Sequence, residues 1–148
     1  MPITDEQVAV LRAQLRGNRA EHLRLMEQLD STEVNEFYPV LIAAAFIEAA
    51  EQYFIKDGEV ADDTQIIDFV AQLREGNDES SDLINPSLAE SMIRDLLGKG
   101  EMIDAEPGVK FGHQIVIVAA IVGEKQFTPA ELDAFLQSAR SLAEELLK

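Results

Sequence analysis

Apolar residues recur at helical spacing along most of the chain, and helix-capping residues divide it into about six segments. The first segment follows Thr4, a possible N-cap with Gln7 completing a capping-box pattern, and its apolar stripe comprises Val8, Leu11, Leu15, Leu25 and Leu29. Gly17 and Asn18 interrupt this segment, since glycine costs a helix interior about 1 kcal/mol, but the stripe continues beyond them. We therefore expect one helix reaching about residue 29, with a break at Gly17 and Asn18 as the alternative.

The second segment is apolar on nearly every side. From Val40 to Ile55 only Glu48, Glu51 and Gln52 form a narrow polar stripe on a hydrophobic cylinder. Proline at position 39 is expected to start or kink this helix, which should end near Lys56 before an Asp-Gly turn. The pattern predicts the central, buried helix of the fold.

Capping residues predict two further helices in the middle of the chain. Asp62 or Asp63 can cap a helix that extends as far as Gly76. After a polar loop, Asn85 can cap another helix, with a proline in its first position and a stop at Gly98.

The last third of the chain contains one ambiguous and one well-marked segment. Ile115-Val116-Ile117-Val118 is β-branched enough for a strand, but no partner strand is evident and we expect a buried helix. Thr128 and Glu131 form a capping-box pair around a first-position proline, which predicts the C-terminal helix.

The sequence thus predicts an all-α, single-domain bundle of about six helices over residues 1–148. The alternative is an α+β fold with one short strand near residues 114–122.

Composition narrows the class of protein. Twelve basic and 28 acidic residues give a net charge of −16, which repels nucleic-acid phosphates, so we expect no nucleic-acid binding. The longest apolar runs are too short for a membrane span, which needs about 20 residues, so we expect no membrane segment. The first residues resemble neither a signal nor a transit peptide, and the chain has no cysteine. We expect a soluble, cytoplasmic protein.

Acidic residues concentrate in one third of the chain. Residues 57–106 hold 14 acidic and 3 basic side chains, which is −11 of the total charge of −16. Such a region is either a solvated face or a surface for a basic protein partner. The predicted interaction surface consists of Asp57, Glu59, Asp62, Asp63, Asp78, Glu79 and Asp82.

Polar and basic residues of the first segment suggest two further contacts. Asn18 and His22 lie on its heptad-like stripe, which is compatible with a homodimer through the first helix, with a helical hairpin, or with simple packing on its own domain. Arg12, Arg16 and Arg19 share one face. We expect them to dock on the acidic middle of the chain, within one molecule or across a dimer, or to form an anion site.

Four acidic residues provide the one pattern with an enzymatic character. Glu48-x-x-Glu51 and Glu75-x-x-Asp78 resemble the paired motifs of the all-α nucleotide pyrophosphohydrolases. The resemblance implies that these four carboxylates hold magnesium against a nucleotide triphosphate. However, Gly76 interrupts the second motif with a helix stop.

No other catalytic or ligand-binding motif is present in the sequence. His22 and His113 are the only histidines, and no third nitrogen or sulfur ligand accompanies them, so we expect neither a metal nor a cofactor.

The leading hypothesis is a non-enzymatic interaction or regulatory protein with an acidic surface for a basic partner. The alternatives are the magnesium-dependent hydrolase and a bundle that encloses a small apolar ligand between its most hydrophobic helices.

Overall fold

The computed structural model describes residues 2–75, 84–101 and 103–148. Over these residues the chain forms seven α-helices, a π-helical turn and a two-stranded hairpin. They are α1 Asp5–Leu15, α2 Arg19–Glu27, the π-helical turn Glu33–Phe37, α3 Tyr38–Phe54, β1 Ile55–Lys56, β2 Glu59–Val60, α4 Asp63–Glu75, α5 Pro86–Leu96, α6 Pro107–Lys125 and α7 Pro129–Leu146. The predicted all-α class is confirmed.

Helix α3 is the centre of the fold, as the sequence predicts. It packs most extensively on α7 and α6, and its small side chains allow those helices to approach closely. Pro39 lies in its first turn, where a missing N–H costs no intrahelical hydrogen bond. The buried side chains of α3 are Tyr38, Leu41, Ile42, Ala44, Ala45, Phe46, Ala49, Ala50 and Phe54.

Residues 114–122 are helical and belong to α6, so the α+β alternative is wrong. Ile117, Val118, Ile121 and Val122 are buried against the core. This i, i+1, i+4, i+5 spacing places them on one face of a helix, whereas alternate residues of a strand would point in opposite directions. Burial, rather than β-branched composition, therefore decides the structure of this segment.

The first segment is two helices, and the prediction of one helix to residue 29 is wrong. Helix α1 ends at Leu15, and Gly17 adopts a left-handed φ of 74°. The Asn18 side chain then accepts a hydrogen bond from the Glu21 amide and caps α2. Because α1 and α2 pack against each other across this turn, the apolar stripe from Val8 to Leu29 is not one continuous helical surface.

A short hairpin occupies the segment predicted only as a turn. Asp57 and Gly58 have φ values of 54° and 79°, which is the two-residue turn geometry that joins antiparallel strands. The strands pair Ile55 with Val60 and Lys56 with Glu59. An Ala61 amide hydrogen bond to the Phe54 carbonyl, at 2.7 Å, closes the base of the hairpin.

Helices α4, α5 and α7 begin where the capping residues predict. Asp62 exchanges hydrogen bonds with Gln65 at the start of α4, and the Asn85 side chain accepts from the Leu88 amide at the start of α5. Thr128 forms the predicted capping box at the start of α7. The predicted stop of α4 at position 76 lies outside the described residues. None of the described helices is long and apolar enough to cross a membrane.

Candidate functional site

A groove of about 330 Å³ lies between the hairpin and α4. It is formed where the end of α3 turns into β1 and the chain returns through β2 into α4. Its lining combines aromatic, amide, acidic and basic side chains: Tyr53, Phe54, Lys56, Glu59, Val60, Ala61, Gln65, Asp68, Phe69 and Gln72.

Three aromatic rings form one wall of the groove. The ring centroids of Tyr53, Phe54 and Phe69 lie 4.8 to 5.2 Å apart, in tilted and edge-to-face arrangements that aromatic pairs favour. Both phenylalanines are buried, whereas Tyr53 is half-buried. The cluster therefore anchors the groove in the core and presents the tyrosine ring to its interior.

The Tyr53 hydroxyl is tied to a different helix. It donates a hydrogen bond of 2.9 Å to the Glu124 carboxylate near the end of α6. Burial, and then the hydrogen bond and charge of Glu124, raise the pKa of Tyr53 to about 12. The phenol is thus a neutral donor at physiological pH, and its bond to Glu124 fixes the orientation of the ring.

Charged side chains surround the aromatic wall. Glu59 and Asp68 are exposed, and neither forms an ion pair with another described residue. The Lys56 ammonium lies 5.7 Å from the centroid of the Tyr53 ring, within the range of a cation–π interaction. The groove therefore already holds a cation of this chain over its tyrosine.

The structure divides the predicted acidic surface. Asp57, Glu59 and Asp62 are exposed on the hairpin and at the start of α4, where Asp62 also serves as the helix cap. Asp63 differs, because its carboxylate pairs with Arg94 at 3.4 Å and with Lys99 at 3.7 Å. The other predicted members, Asp78, Glu79 and Asp82, lie outside the described residues.

The hydrolase-like acids are not brought together in the described part of the chain. No three described acidic or histidine side chains are grouped closely enough to hold a metal ion. Glu48 is half-buried beside α7, whereas Glu51 and Glu75 are exposed, and Asp78 lies outside the described residues. Desolvation, and then the charge of Glu51, raise the pKa of Glu48.

The histidines have structural hydrogen bonds. His113 is buried, its Nε2 accepts from the Asn85 amide at 3.0 Å, and its Nδ1 lies 2.8 Å from the Val109 carbonyl. This pair of bonds requires the neutral tautomer with the proton on Nδ1. His22 is half-buried, and its Nδ1 lies 3.0 Å from the Val10 carbonyl, so it links α2 to α1.

Within the described part of the chain, the arginine stripe forms no ion pair with the acidic middle segment. Arg12 pairs instead with Asp133 of α7, at 2.8 Å. Arg16 and Arg19 are exposed, and neither forms an ion pair with a described acidic residue. Arg12 thus fastens α1 to the C-terminal helix, and the homodimer hypothesis stays a prediction.

Of the ten residues that line the groove, only Glu59 belongs to the interaction surface predicted from the sequence. The apolar pattern of the second segment includes Tyr53, and the sequence assigns Lys56, Asp68 and Phe69 to no site. The available signal was the Asp-Gly pair, because a two-residue hairpin turn folds Lys56 back against Glu59 and brings α4 beside the end of α3.

Comparisons of the chain with protein families, with curated proteins and with solved structures give no significant match.

Proposed function

We propose that this chain is a non-enzymatic interaction protein that binds a basic partner through its acidic hairpin region. The supporting observation is a set of exposed carboxylates beside the groove, none of which pairs with a described basic residue: Asp57, Glu59, Asp62 and Asp68. We name these four residues, together with the groove, the hairpin surface.

Electrostatics favour a basic partner. The net charge of −16 attracts cationic proteins over a distance, and carboxylates that are not neutralised internally remain available for contact. Asp63, by contrast, is engaged with Arg94 and Lys99 and contributes less to this attraction. The hairpin surface is therefore the part of the acidic region best suited to meet a partner.

The first prediction concerns the hairpin carboxylates. The probe is a fluorescent arginine-rich peptide, and its citrulline counterpart has the same shape without charge. Combining Asp57→Asn, Glu59→Gln and Asp62→Asn should weaken binding about ten-fold at roughly 50 mM salt. Asparagine can still cap α4, so the substitutions preserve the helix start. Fluorescence anisotropy at about 50 and 300 mM salt measures the loss.

A matched triple variant controls for net charge alone. Glu6→Gln, Glu27→Gln and Glu36→Gln remove three exposed acids from α1, α2 and the π-helical turn, and none of these acids forms an ion pair with a described residue. This variant should bind within about three-fold of the unmodified protein. Equal losses in both variants, or no binding of the arginine peptide by the unmodified protein, would refute the proposal.

A further inference from the structure

We infer that the groove between the hairpin and α4 receives one arginine side chain of the basic partner, with its guanidinium stacked on Tyr53 between Glu59 and Asp68. The inference rests on the proposed function and specifies the contact by which it operates. It is carried by the aromatic wall, the two carboxylates beside it and the cation that already lies over the ring.

The aromatic wall is suited to a flat cation. A guanidinium group stacks on the face of an aromatic ring and uses both its charge and its planarity, whereas an ammonium group acts as a point charge. Tyr53 is fixed for this contact by its packing on Phe54 and Phe69 and by its bond to Glu124. A ring held in place loses little conformational entropy when a ligand stacks on it.

The carboxylates complete the recognition of an arginine. Glu59 comes from β2 and Asp68 from α4, so acidic groups on two different elements line the same groove. Guanidinium has five N–H donors and forms paired hydrogen bonds with carboxylates. The groove volume of about 330 Å³ is large enough to admit a side chain.

Lys56 acts as an internal competitor in this arrangement. Its ammonium lies where the incoming cation would stack, and its side chain is exposed and can move into solvent. Exposed cation–π contacts are weak, so an arginine with two carboxylate partners displaces it. Removing this ammonium should therefore strengthen binding of a cationic ligand.

The experiment measures binding of the same arginine-rich peptide to variants inside the groove. Tyr53→Leu and Asp68→Asn should each weaken binding about ten-fold, and Tyr53→Phe, which keeps the ring, should stay within about three-fold. Lys56→Gln should tighten binding about three-fold or more, whereas Lys110→Gln, which removes the same charge from α6, should not. Replacing the arginines of the peptide by lysines should weaken binding.

Intrinsic fluorescence identifies the contact. The chain has two tyrosines and no tryptophan, and Tyr38 is fully buried, so a change in tyrosine emission on peptide binding reports mainly on Tyr53. Asp68 is exposed, which keeps the test valid even if Tyr53→Leu perturbs folding.

The outcomes separate the two proposals. If Asp68→Asn and Tyr53→Leu bind the peptide as the unmodified protein does, while the hairpin triple variant is weakened, the arginine site is wrong and the proposed function stands. If the unmodified protein binds no arginine peptide at low salt, both are wrong. Tightening by Lys56→Gln and Lys110→Gln alike would also overturn the arginine site, because it would show an effect of net charge alone.

Discussion

Glu48 illustrates how burial changes the behaviour of a single carboxyl group. It is half-buried beside α7, and both desolvation and the neighbouring Glu51 charge disfavour its ionised form. Its pKa is therefore raised from the ordinary value of 4.5. Among the described residues, no group of carboxylates around Glu48 could hold a metal ion that would offset its charge. The ionised Glu48 carboxylate therefore destabilises the folded state.

The second prediction is that Glu48→Gln stabilises the protein at about pH 7 but not at about pH 4. Below its ordinary pKa of 4.5, Glu48 is protonated in both the folded and the unfolded chain, so it has no effect. As pH rises, the unfolded chain loses this proton first and the folded state loses stability, until the raised pKa is passed. Thermal unfolding at both pH values measures the difference.

Glu36→Gln is the matched control, since it removes an exposed carboxyl and shares any benefit of lower net charge. The gain at neutral pH should be larger for Glu48→Gln. Equal gains at neutral pH, or an equally large gain for Glu48→Gln at both pH values, would contradict this account of Glu48.

Individual site residues were only partly predictable. The surface positions of Asp57, Glu59 and Asp62 could be predicted from the clustering of acidic residues, because charged side chains are rarely buried without a partner. Tyr53 and Phe69 could not be assigned to a site, since apolar periodicity places a ring on a helix face without identifying its neighbour. Their contact depends on how α3 and α4 meet, which is a tertiary property.

At the scale of elements, the sequence does not show whether a glycine within an apolar helical pattern ends the helix. Gly17 has a φ of 74° and separates α1 from α2, whereas Gly112 lies within α6. Both interrupt a helical pattern, and the sequence alone does not distinguish a tolerated glycine from a helix end. In the first segment the Asn18 cap, rather than the apolar stripe, determined the outcome.

The third prediction uses this contrast. Gly17→Ala should lower the free energy of unfolding by about 1 kcal/mol, because alanine is strained at positive φ. Gly112→Ala should raise it by about 0.5–1 kcal/mol, since a Cβ there meets nothing within 4 Å and alanine favours the helix. Urea denaturation of the two variants tests the opposite signs. A stabilised Gly17→Ala protein would contradict the two-helix description.

The helix starts at Asn85 and Thr128 were predictable because caps act locally. The hairpin was missed although Asp57-Gly58 is a strong local signal for a two-residue turn. Its strands are two residues each, too short to produce an alternating pattern. Short elements of this kind are identified by their turn and not by their periodicity.

For the whole molecule, charge opposes the packing that forms the core. The buried apolar residues form one cluster that joins α1, α3, α4, α5, α6 and α7. Outside it, 28 acidic and 12 basic side chains repel one another on balance. Among the described residues, ion pairs from Arg12 to Asp133 and from Arg140 to Asp5 connect α1 with α7, and Asp63 of α4 pairs with Arg94 of α5.

The fourth prediction is that salt stabilises the protein by screening this repulsion. Raising sodium chloride from about 20 to 150 mM should increase the melting temperature by a few degrees. Further salt should add little, because the repulsion between exposed charges is then largely screened. Differential scanning calorimetry provides the measurement. A melting temperature that falls with salt would show that attractive ion pairs outweigh repulsion.

Lys99 couples the groove to a distant part of the chain. Its ammonium donates to the Ala61 carbonyl at 2.7 Å and pairs with Asp63, so a residue just beyond α5 supports the junction between β2 and α4. Thermodynamic linkage is reciprocal: if this contact favours the open groove, a ligand in the groove strengthens the contact by the same free energy. A chemical modification that removes the Lys99 charge would then change the affinity of the groove for its ligand, although Lys99 itself does not contact the ligand.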